Sequence, residues 1–169
     1  LDLFYYLQKN LKWQQPEVTV YSKTGPIPRL QCFIGDHKIE YGYSNSKLIT
    51  EPWPSTLMAM RKRLEAHLNQ PFNSLLVNYY RDGNDTMGWH SDDEIELGQE
   101  PTIVCISLGA ERVLKLKDKT SNKITDLKLH SGSCLVMSGN SQRDFQHAIL
   151  KQTSLVHPRI SLTFRYIKQ

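Results

Sequence analysis

The sequence has 169 residues, of which 39% are hydrophobic and 22% are charged, values typical of one globular domain with a single core. No stretch approaches the ~20 apolar residues needed to span a bilayer, so we expect a soluble chain without membrane contact. The formal charge of +4 is compatible with a nucleic-acid partner but does not by itself require one.

The chain begins at Leu1 without a charged and then apolar leader, so we expect it to be a domain excised from a longer protein. Three cysteines, Cys32, Cys105 and Cys134, are far apart and form no Cys-x-x-Cys pair, which argues against a zinc ribbon or a disulfide framework. Each lies in an apolar run and is expected to be a buried thiol. This favours a reducing compartment, the cytoplasm, or the nucleus if the source is eukaryotic.

Two helices are predicted in the first half of the chain. Apolar residues recur every three or four positions within residues 1–12, which predicts a short helix. The second helix begins at Ser55, which can cap it, and its apolar stripe consists of Leu57, Met60, Leu64 and Leu68. The basic run 61–63 lies mostly off this stripe, so we interpret it as a solvated helix face.

Most of the remaining chain alternates short apolar runs with turn residues, which is typical of an all-β protein. The predicted strands are 17–21, 30–34, 38–43, 74–80, 102–108, 111–117, 124–129, 133–138, 147–150 and 159–167. We therefore expect one mainly β domain over residues 1–169, with a jelly-roll core and N-terminal helices packed on one sheet.

His90 and Asp92 are the first candidate metal ligands. Side chains alternate along a strand, so these two project to the same side and can bind one ion. Two imidazoles and one carboxylate leave half of an octahedral metal open, which is typical of Fe(II) oxygenases. Taken alone, the pair is better interpreted as an acidic turn, because Asp93, Glu94 and Glu96 follow at once.

A third ligand must come from a later histidine. His130 precedes a Ser-Gly turn and is expected to face solvent, and His157 stands before a proline in a connection. His147 follows Phe145 and opens an apolar run, as a residue does when it enters a strand on a core-lined face. We therefore select His147.

Two arginines in the last predicted strand form a candidate anion site. Arg159 and Arg165 share the polar face of that strand, and the guanidinium group can donate two parallel hydrogen bonds to a carboxylate. Alone, they would be interpreted as surface arginines. Following a candidate iron histidine, they match the needs of a dicarboxylate co-substrate. Asn78 and Tyr80 share one face of another strand and are expected to complete the site.

These residues fall in segments that resemble the AlkB family of nucleic-acid dealkylating dioxygenases. The segments read NYYRDG from residue 78, WHSDDE from residue 89, FQH from residue 145 and PRISLTFR from residue 158. Weaker similarity reaches back to about residue 17. The resemblance implies a double-stranded β-helix that holds Fe(II) and 2-oxoglutarate and uses O₂. It implies the metal ligands His90, Asp92 and His147 and the 2-oxoglutarate ligands Asn78, Tyr80, Arg159 and Arg165.

The resemblance also implies a nucleotide-recognition lid at about 17–50, ahead of an oxygenase core at about 72–169. In the lid, Tyr43 would stack on a base that has left its duplex, with Tyr41 nearby. Tyr21 would displace the base, although simple strand packing is almost as good an interpretation. Asp93 and Glu94 would read the exocyclic amine of the damaged base.

Two positions depart from the family pattern. Ser161 stands where the family often has asparagine, and Phe33-Ile34 replaces a Trp-Tyr pair before Gly35. Neither change affects a metal ligand or an arginine, so they bear on substrate preference only.

The implied function is oxidative demethylation of alkylated bases, N1-methyladenine and N3-methylcytosine, in DNA, with RNA as a second candidate polymer. It would release formaldehyde, succinate and CO₂, and the enzyme is expected to act as a monomer. The alternatives are an oxygenase acting on a protein side chain or an RNA, a hydrolytic zinc site, which leaves the arginines unexplained, and a non-catalytic nucleic-acid-binding module.

Overall fold

The computed structural model describes residues 2–20, 22–37, 39, 41–43, 46–155 and 157–168, with the side chains of 20, 41–43, 46 and 47 left aside. Its elements in chain order are α1 (Leu3–Asn10), β1 (Glu17–Val20), β2 (Lys23–Pro26), β3 (Leu30–Gly35), β4 (Tyr41–Tyr43), β5 (Ser46–Leu48), β6 (Thr50–Glu51), α2 (Ser55–Leu68), β7 (Ser74–Tyr80), β8 (Met87–His90), a 3₁₀ turn (Ile95–Leu97), β9 (Ile103–Gly109), β10 (Arg112–Asp118), β11 (Ile124–Leu129), β12 (Cys134–Met137), α3 (Ser141–Asp144), β13 (Phe145–Ile149) and β14 (Arg159–Arg165).

The last eight strands form two antiparallel four-stranded layers. One layer has the order β12-β9-β14-β7 and is extended by β3 and β6 to six strands, and the other has the order β11-β10-β13-β8. Apart from β10 and β11, which pair as neighbours in one layer, consecutive strands of this set pass from one layer to the other, as in a jelly roll. The expected mainly β fold is therefore confirmed.

Strand β14 lies between the hydrophobic core on one side and the space enclosed by the two layers on the other. Its apolar residues Ile160, Leu162 and Phe164 are fully buried in the cluster that α1 and α2 help to form. The alternate residues face the other way, as strand geometry requires. The prediction that the N-terminal helices pack on one sheet is confirmed, since Leu7 and Leu57 belong to this cluster.

Helix α2 differs from prediction at its start and on its basic face. Pro54 occupies the N-cap position, and because its side chain has no hydrogen-bonding group, no side chain caps the helix. Arg61 is not solvated: it forms ion pairs with Asp36 and Glu65 and lies 4.9 Å from the Trp53 ring centroid. Its long side chain folds back over the aromatic ring and reaches two carboxylates at the edge of the core.

The cysteines also differ from prediction. All three are free, but only Cys32 is buried, whereas Cys105 is half-buried and Cys134 is exposed. Cys134 lies in β12, the edge strand of its sheet, and an edge strand buries fewer of its side chains. Strands β2, β5, β6 and β8 were not predicted as separate elements. No helix in the described part of the chain has the length and apolar character of a membrane span.

Candidate active site

Three predicted ligands lie together at one end of the space between the two layers. His90 ends β8, and its cross-strand partner on β13 is His147. Their ring centroids are 4.2 Å apart, and His90 Nε2 lies 3.6 Å from Asp92 Oδ1. One ligand atom from each of His90, Asp92 and His147 lies within 4.8 Å of the others. The spacing suits a single divalent cation.

The other candidate histidines lie elsewhere. His130 is exposed and pairs with Glu111, and His157 is exposed in the connection before β14. The pairing of β13 with β8 therefore puts His147, and neither of the two alternative histidines, next to His90.

Both histidine rings are held in states that can bind a metal. His90 Nδ1 lies 2.8 Å from the carbonyl oxygen of Gly88, which can only accept, so Nδ1 carries the proton and Nε2 keeps its lone pair. Burial, together with the nearby His90, lowers the pKa of His147 to about 4. A neutral imidazole at neutral pH is the form that ligates a cation.

Asp92 is held by two contacts with other parts of the chain. It is 2% exposed, its Oδ1 lies 2.9 Å from Arg165 Nη2, and its backbone N–H donates to Gln142 Oε1 at 2.9 Å. Burial alone would raise the pKa of Asp92, but the charge of Arg165 holds the pKa of this carboxyl below its ordinary value. Asp92, the candidate ligand, is therefore a carboxylate at neutral pH.

A cavity extends from this cluster between the layers. One wall is polar and is formed by β14 and β7, with Arg159, Ser161, Thr163, Arg165, Asn78 and Tyr80. The opposite wall, formed by β10, β11 and β13, is apolar and includes Leu114, Leu129 and Ile149. The polar wall could bind the charged groups of a small ligand, while the apolar wall would shield that ligand from water.

Arg159 lines the cavity and has hydrogen-bond donors that no described residue uses. It is 1% exposed, its Nη2 donates to Ser107 Oγ at 2.8 Å, and its Cζ lies 5.3 Å from the Tyr80 ring centroid. Its Nε and Nη1 have no hydrogen-bond partner among the described residues. Buried donors without partners are costly, so this end of the cavity fits an anionic group such as a carboxylate.

Asn78 is oriented from behind by two donors. Its Oδ1 accepts from Arg29 Nε at 3.0 Å and from Gln31 Nε2 at 2.9 Å, and the residue is 3% exposed. With the oxygen occupied, the NH₂ group remains to donate on the cavity side. Asn78 and Arg159 thus present donors to the same wall.

Sequence reasoning assigned no role in this cavity to several polar residues around it, namely Arg29, Gln31, Ser107, Arg112 and Gln142. Gln31, like Asn78, is an amide inside an apolar run, and this signal could have identified it. Ser107 shares a cross-strand register with Ser161 on the polar wall. The roles of Arg29, Arg112 and Gln142 depend on contacts between distant segments, which leave no local pattern.

The predicted substrate contacts are only partly described. Asp93 is exposed and Glu94 is half-buried, directly after the Asp92 ligand. Asp93 lines an open cleft that also includes Asp92 and Ile95. Tyr21 and the side chains of Tyr41 and Tyr43 lie outside the described residues. Of the departures from the family pattern, Ser161 lines the cavity, whereas Phe33 and Ile34 are buried in β3.

Comparison with known proteins points to one family. Residues 1–165 match the 2OG-Fe(II) oxygenase superfamily. The chain is 35% identical over 173 residues to alpha-ketoglutarate-dependent dioxygenase alkB homolog 3 of Mus musculus, covering 95% of this chain and 59% of that protein. It is 31% identical over 177 residues to DNA oxidative demethylase ALKBH2 of Homo sapiens, covering 98% of this chain and 68% of that protein.

The fold has a match among solved structures. The structure of OsALKBH1 superposes with a TM-score of 0.68 at 20% identity, over 97% of this chain and 90% of that one. At this identity the match concerns the fold alone. The chain spans about three fifths of the length of alkB homolog 3 from Mus musculus, 59%.

Proposed function

This chain belongs to the AlkB family of the 2OG-Fe(II) oxygenase superfamily, and from that premise we propose that it is an iron- and 2-oxoglutarate-dependent dioxygenase that removes alkyl groups from nucleic-acid bases. The observation that carries the proposal is the cavity that has His90, Asp92 and His147 at one end and the unused buried donors of Arg159 in its polar wall.

In this proposal His90, Asp92 and His147 hold Fe(II). Two neutral imidazoles and one carboxylate give the ion a net charge of +1 and leave coordination positions for a co-substrate and O₂. Ser91 Oγ donates to the Phe145 carbonyl oxygen at 2.7 Å, and Gln142 holds the Asp92 backbone, so the ligand segment is fixed before an ion binds.

Arg159, Arg165, Asn78 and Tyr80 would hold 2-oxoglutarate. The two arginines lie six positions apart on β14, about 20 Å at ~3.3 Å per residue, and their long side chains shorten that span. Arg165 contacts Asp92 and therefore lies at the metal-binding end of the cavity. Arg159 would bind the carboxylate of 2-oxoglutarate that lies farther from the metal. The apolar wall excludes water and strengthens every charge interaction inside the cavity.

When bound, Fe(II) with 2-oxoglutarate and O₂ supplies the oxidation: 2-oxoglutarate becomes succinate and CO₂, and the methyl carbon on the base nitrogen is hydroxylated and lost as formaldehyde. The protein contributes position and charge. The buried carboxylate of Asp92 keeps its charge because Arg165 balances it. Burial lowers the pKa of His147, so its imidazole is neutral at neutral pH and has a lone pair for the ion.

We propose N1-methyladenine and N3-methylcytosine in DNA as substrates, with RNA as the competing polymer. Both lesions carry a positive charge, and Asp93 and Glu94 follow the metal ligand Asp92 with negative charge. A lid at about 17–50, with Tyr21, Tyr41 and Tyr43, would receive the base from its strand above a core at about 72–169. The enzyme would act as a monomer, in the cytoplasm or the nucleus.

The test incubates the protein with Fe(II), 2-oxoglutarate and oligonucleotides that carry one methylated base, in DNA and in RNA. We expect formaldehyde and succinate in equal amounts from the DNA substrates. Asp92→Ala should release neither, because an essential ligand is gone, and His157→Gln should match the wild type, because this histidine lies in an exposed connection.

The outcomes separate the alternatives. Failure to release formaldehyde from any methylated base would reject base demethylation. Release of succinate without formaldehyde would support an oxygenase that acts on another substrate, such as a protein side chain. Absence of both, with intact binding of the oligonucleotide, would indicate a non-catalytic binding module.

A further inference from the structure

Arg29 joins three segments behind the polar wall of the cavity. It is 6% exposed, and it directly precedes β3. Its Nε donates to Asn78 Oδ1 at 3.0 Å, and its Nη1 donates to the Thr86 carbonyl oxygen at 3.1 Å. Thr86 in turn donates its backbone N–H to the Pro28 carbonyl at 2.8 Å. Thr86 precedes β8, the strand that ends at His90, so Arg29 connects the cavity wall with the metal-binding strand.

The charge of Arg29 is not balanced by a carboxylate among the described residues. Both of its hydrogen bonds go to uncharged oxygen atoms. Arg112 and Arg159 are each 1% exposed and likewise donate to carbonyl oxygens or to a hydroxyl. The Arg112 and Arg159 guanidinium groups lie 5.5 Å and 5.3 Å from the Tyr80 ring centroid. Three buried positive charges therefore surround Asn78 and Tyr80.

Such an arrangement is costly without an anion. Burial removes the hydration of a charge, and a nearby opposite charge is the usual compensation. The described residues place no carboxylate in ion-pair contact with these three arginines, although Asp85 and Asp82 interact with Arg112 at longer range. At the other end of the cavity Asp92 contacts Arg165. The excess of positive charge is thus confined to the part of the cavity that lies away from the metal ligands.

We propose that Arg29 is a positioning residue for the dicarboxylate co-substrate, acting through Asn78 without touching the ligand. This inference rests on the proposed function. Because Arg29 and Gln31 both donate to Asn78 Oδ1, the amide cannot turn over, and its NH₂ group is held as a donor for a carboxylate. A charged donor on the oxygen also polarises the amide and strengthens the bond that its NH₂ group makes.

Arg29 and Gln31 differ in charge, which separates two contributions. Gln31 supplies the same kind of hydrogen bond to Asn78 Oδ1 without a charge, from the adjacent strand position opposite Asn78. If the charge matters, loss of Arg29 must cost more co-substrate affinity than loss of the Gln31 amide. If only the orientation of Asn78 matters, the two losses must be equal.

The experiment measures binding of 2-oxoglutarate by calorimetry to the protein loaded with Mn(II), which replaces Fe(II) without turnover. We expect Arg29→Gln to bind 2-oxoglutarate about 10-fold to 100-fold more weakly than the wild type, the range for a nearby unit charge in a partly buried site. Gln31→Leu should lose about threefold, as for one neutral hydrogen bond. Arg63→Gln, on the exposed face of α2, removes the same charge and should change nothing.

A second readout separates positioning from a general structural role. Mn(II) affinity without 2-oxoglutarate should stay within about twofold in Arg29→Gln, because the metal ligands keep their own contacts. Equal losses of Mn(II) and 2-oxoglutarate affinity would reject the proposal, as would wild-type 2-oxoglutarate affinity in Arg29→Gln or a loss no larger than that of Gln31→Leu. If Arg29→Gln does not fold, Arg29→Lys replaces it in the test. We expect Arg29→Lys to lose about threefold or more in 2-oxoglutarate affinity, and wild-type affinity in this variant would reject the proposal.

Failure of the proposed function looks different. In that case the wild-type protein itself would not bind 2-oxoglutarate in the presence of Mn(II), and no comparison between variants would arise.

Discussion

At the scale of single residues, the buried charges of this site depend on one another. Asp92 contacts Arg165 and lies beside two imidazoles; burial alone would raise the pKa of Asp92, but its interactions with these neighbours lower that pKa. His147 is 7% exposed, and burial first, then the neighbouring His90, lowers its pKa to about 4. The site therefore keeps His147 neutral at a pH where a free histidine is partly protonated.

This pKa predicts how the stability of the metal-free protein depends on pH. His147 has a lower pKa in the folded protein than in the unfolded chain, so the unfolded chain takes up the proton first as the pH falls. The contribution to stability is complete above pH 6.5 and is lost between pH 6.5 and about 4. We expect the free energy of unfolding to fall by about 1 kcal/mol from this residue between pH 7 and 5.5.

The measurement is urea unfolding at several pH values with a chelator present. His147→Gln should show a shallower dependence than the wild type, and His157→Gln should keep the wild-type slope because that histidine is exposed. An unchanged slope in His147→Gln would contradict the assignment of this titration to His147.

At the scale of elements, the connections between strands fix the position of β8. The loop after β7 meets the loop after β13 at Gly83, whose N–H donates to the Leu155 carbonyl at 2.9 Å and whose carbonyl accepts from Gln152 N–H at 2.8 Å. Arg112 binds both loops through the carbonyl oxygens of Asp82, Asp85 and Leu150. These contacts fix the position of the segment that leads into β8, the strand that ends at His90.

Gly83→Ala should therefore destabilise the fold. A Cβ at this position would lie 1.7 Å from the Gln152 carbonyl oxygen and 2.9 Å from that of Leu155, and both are backbone atoms that cannot turn aside. The two loops must separate and lose their hydrogen bonds. We expect a loss of about 2–3 kcal/mol in the free energy of unfolding, measured by urea denaturation.

Gly25→Ala is the matched control, because a Cβ there meets nothing within 4 Å. It should change stability by less than about 0.5 kcal/mol. Equal stability of Gly83→Ala and Gly25→Ala would show that the loops separate without cost.

At the scale of the whole molecule, the two layers of the jelly roll hold different halves of the site. His90 and His147 come from the four-stranded layer, and Arg159, Arg165, Asn78 and Tyr80 come from the six-stranded layer. Asp92 is the contact between the halves, since it follows β8 and binds Arg165 of β14. A metal and a co-substrate bound together would link the two layers.

Thermal unfolding should reveal this linkage. Mn(II) with 2-oxoglutarate, each at about 100 times its dissociation constant, should raise Tm by about 10–20 °C, roughly twice the increase from Mn(II) alone. Arg159→Met should keep the increment from Mn(II) and lose the one from 2-oxoglutarate, because its donors lie in the other layer. Loss of both increments would contradict the division of the site between the layers.

The sequence by itself determined what depends on local repetition and spacing. The alternation in β14 placed Arg159 and Arg165 on one polar face, and the two-residue spacing of His90 and Asp92 placed them at one strand end. Both follow from the period of two along a strand. The mainly β architecture and the family resemblance followed from the same local signals.

Only the tertiary structure decided which distant segments meet. The pairing of β13 with β8 brings His147 to His90, and the folding of two layers puts Arg29 behind Asn78 and Gln142 against Asp92. The predictions of a solvated Arg61 and a buried Cys134 were wrong for the same reason. Burial and charge balance depend on neighbours that come from remote parts of the chain, and no local pattern of residues records those neighbours.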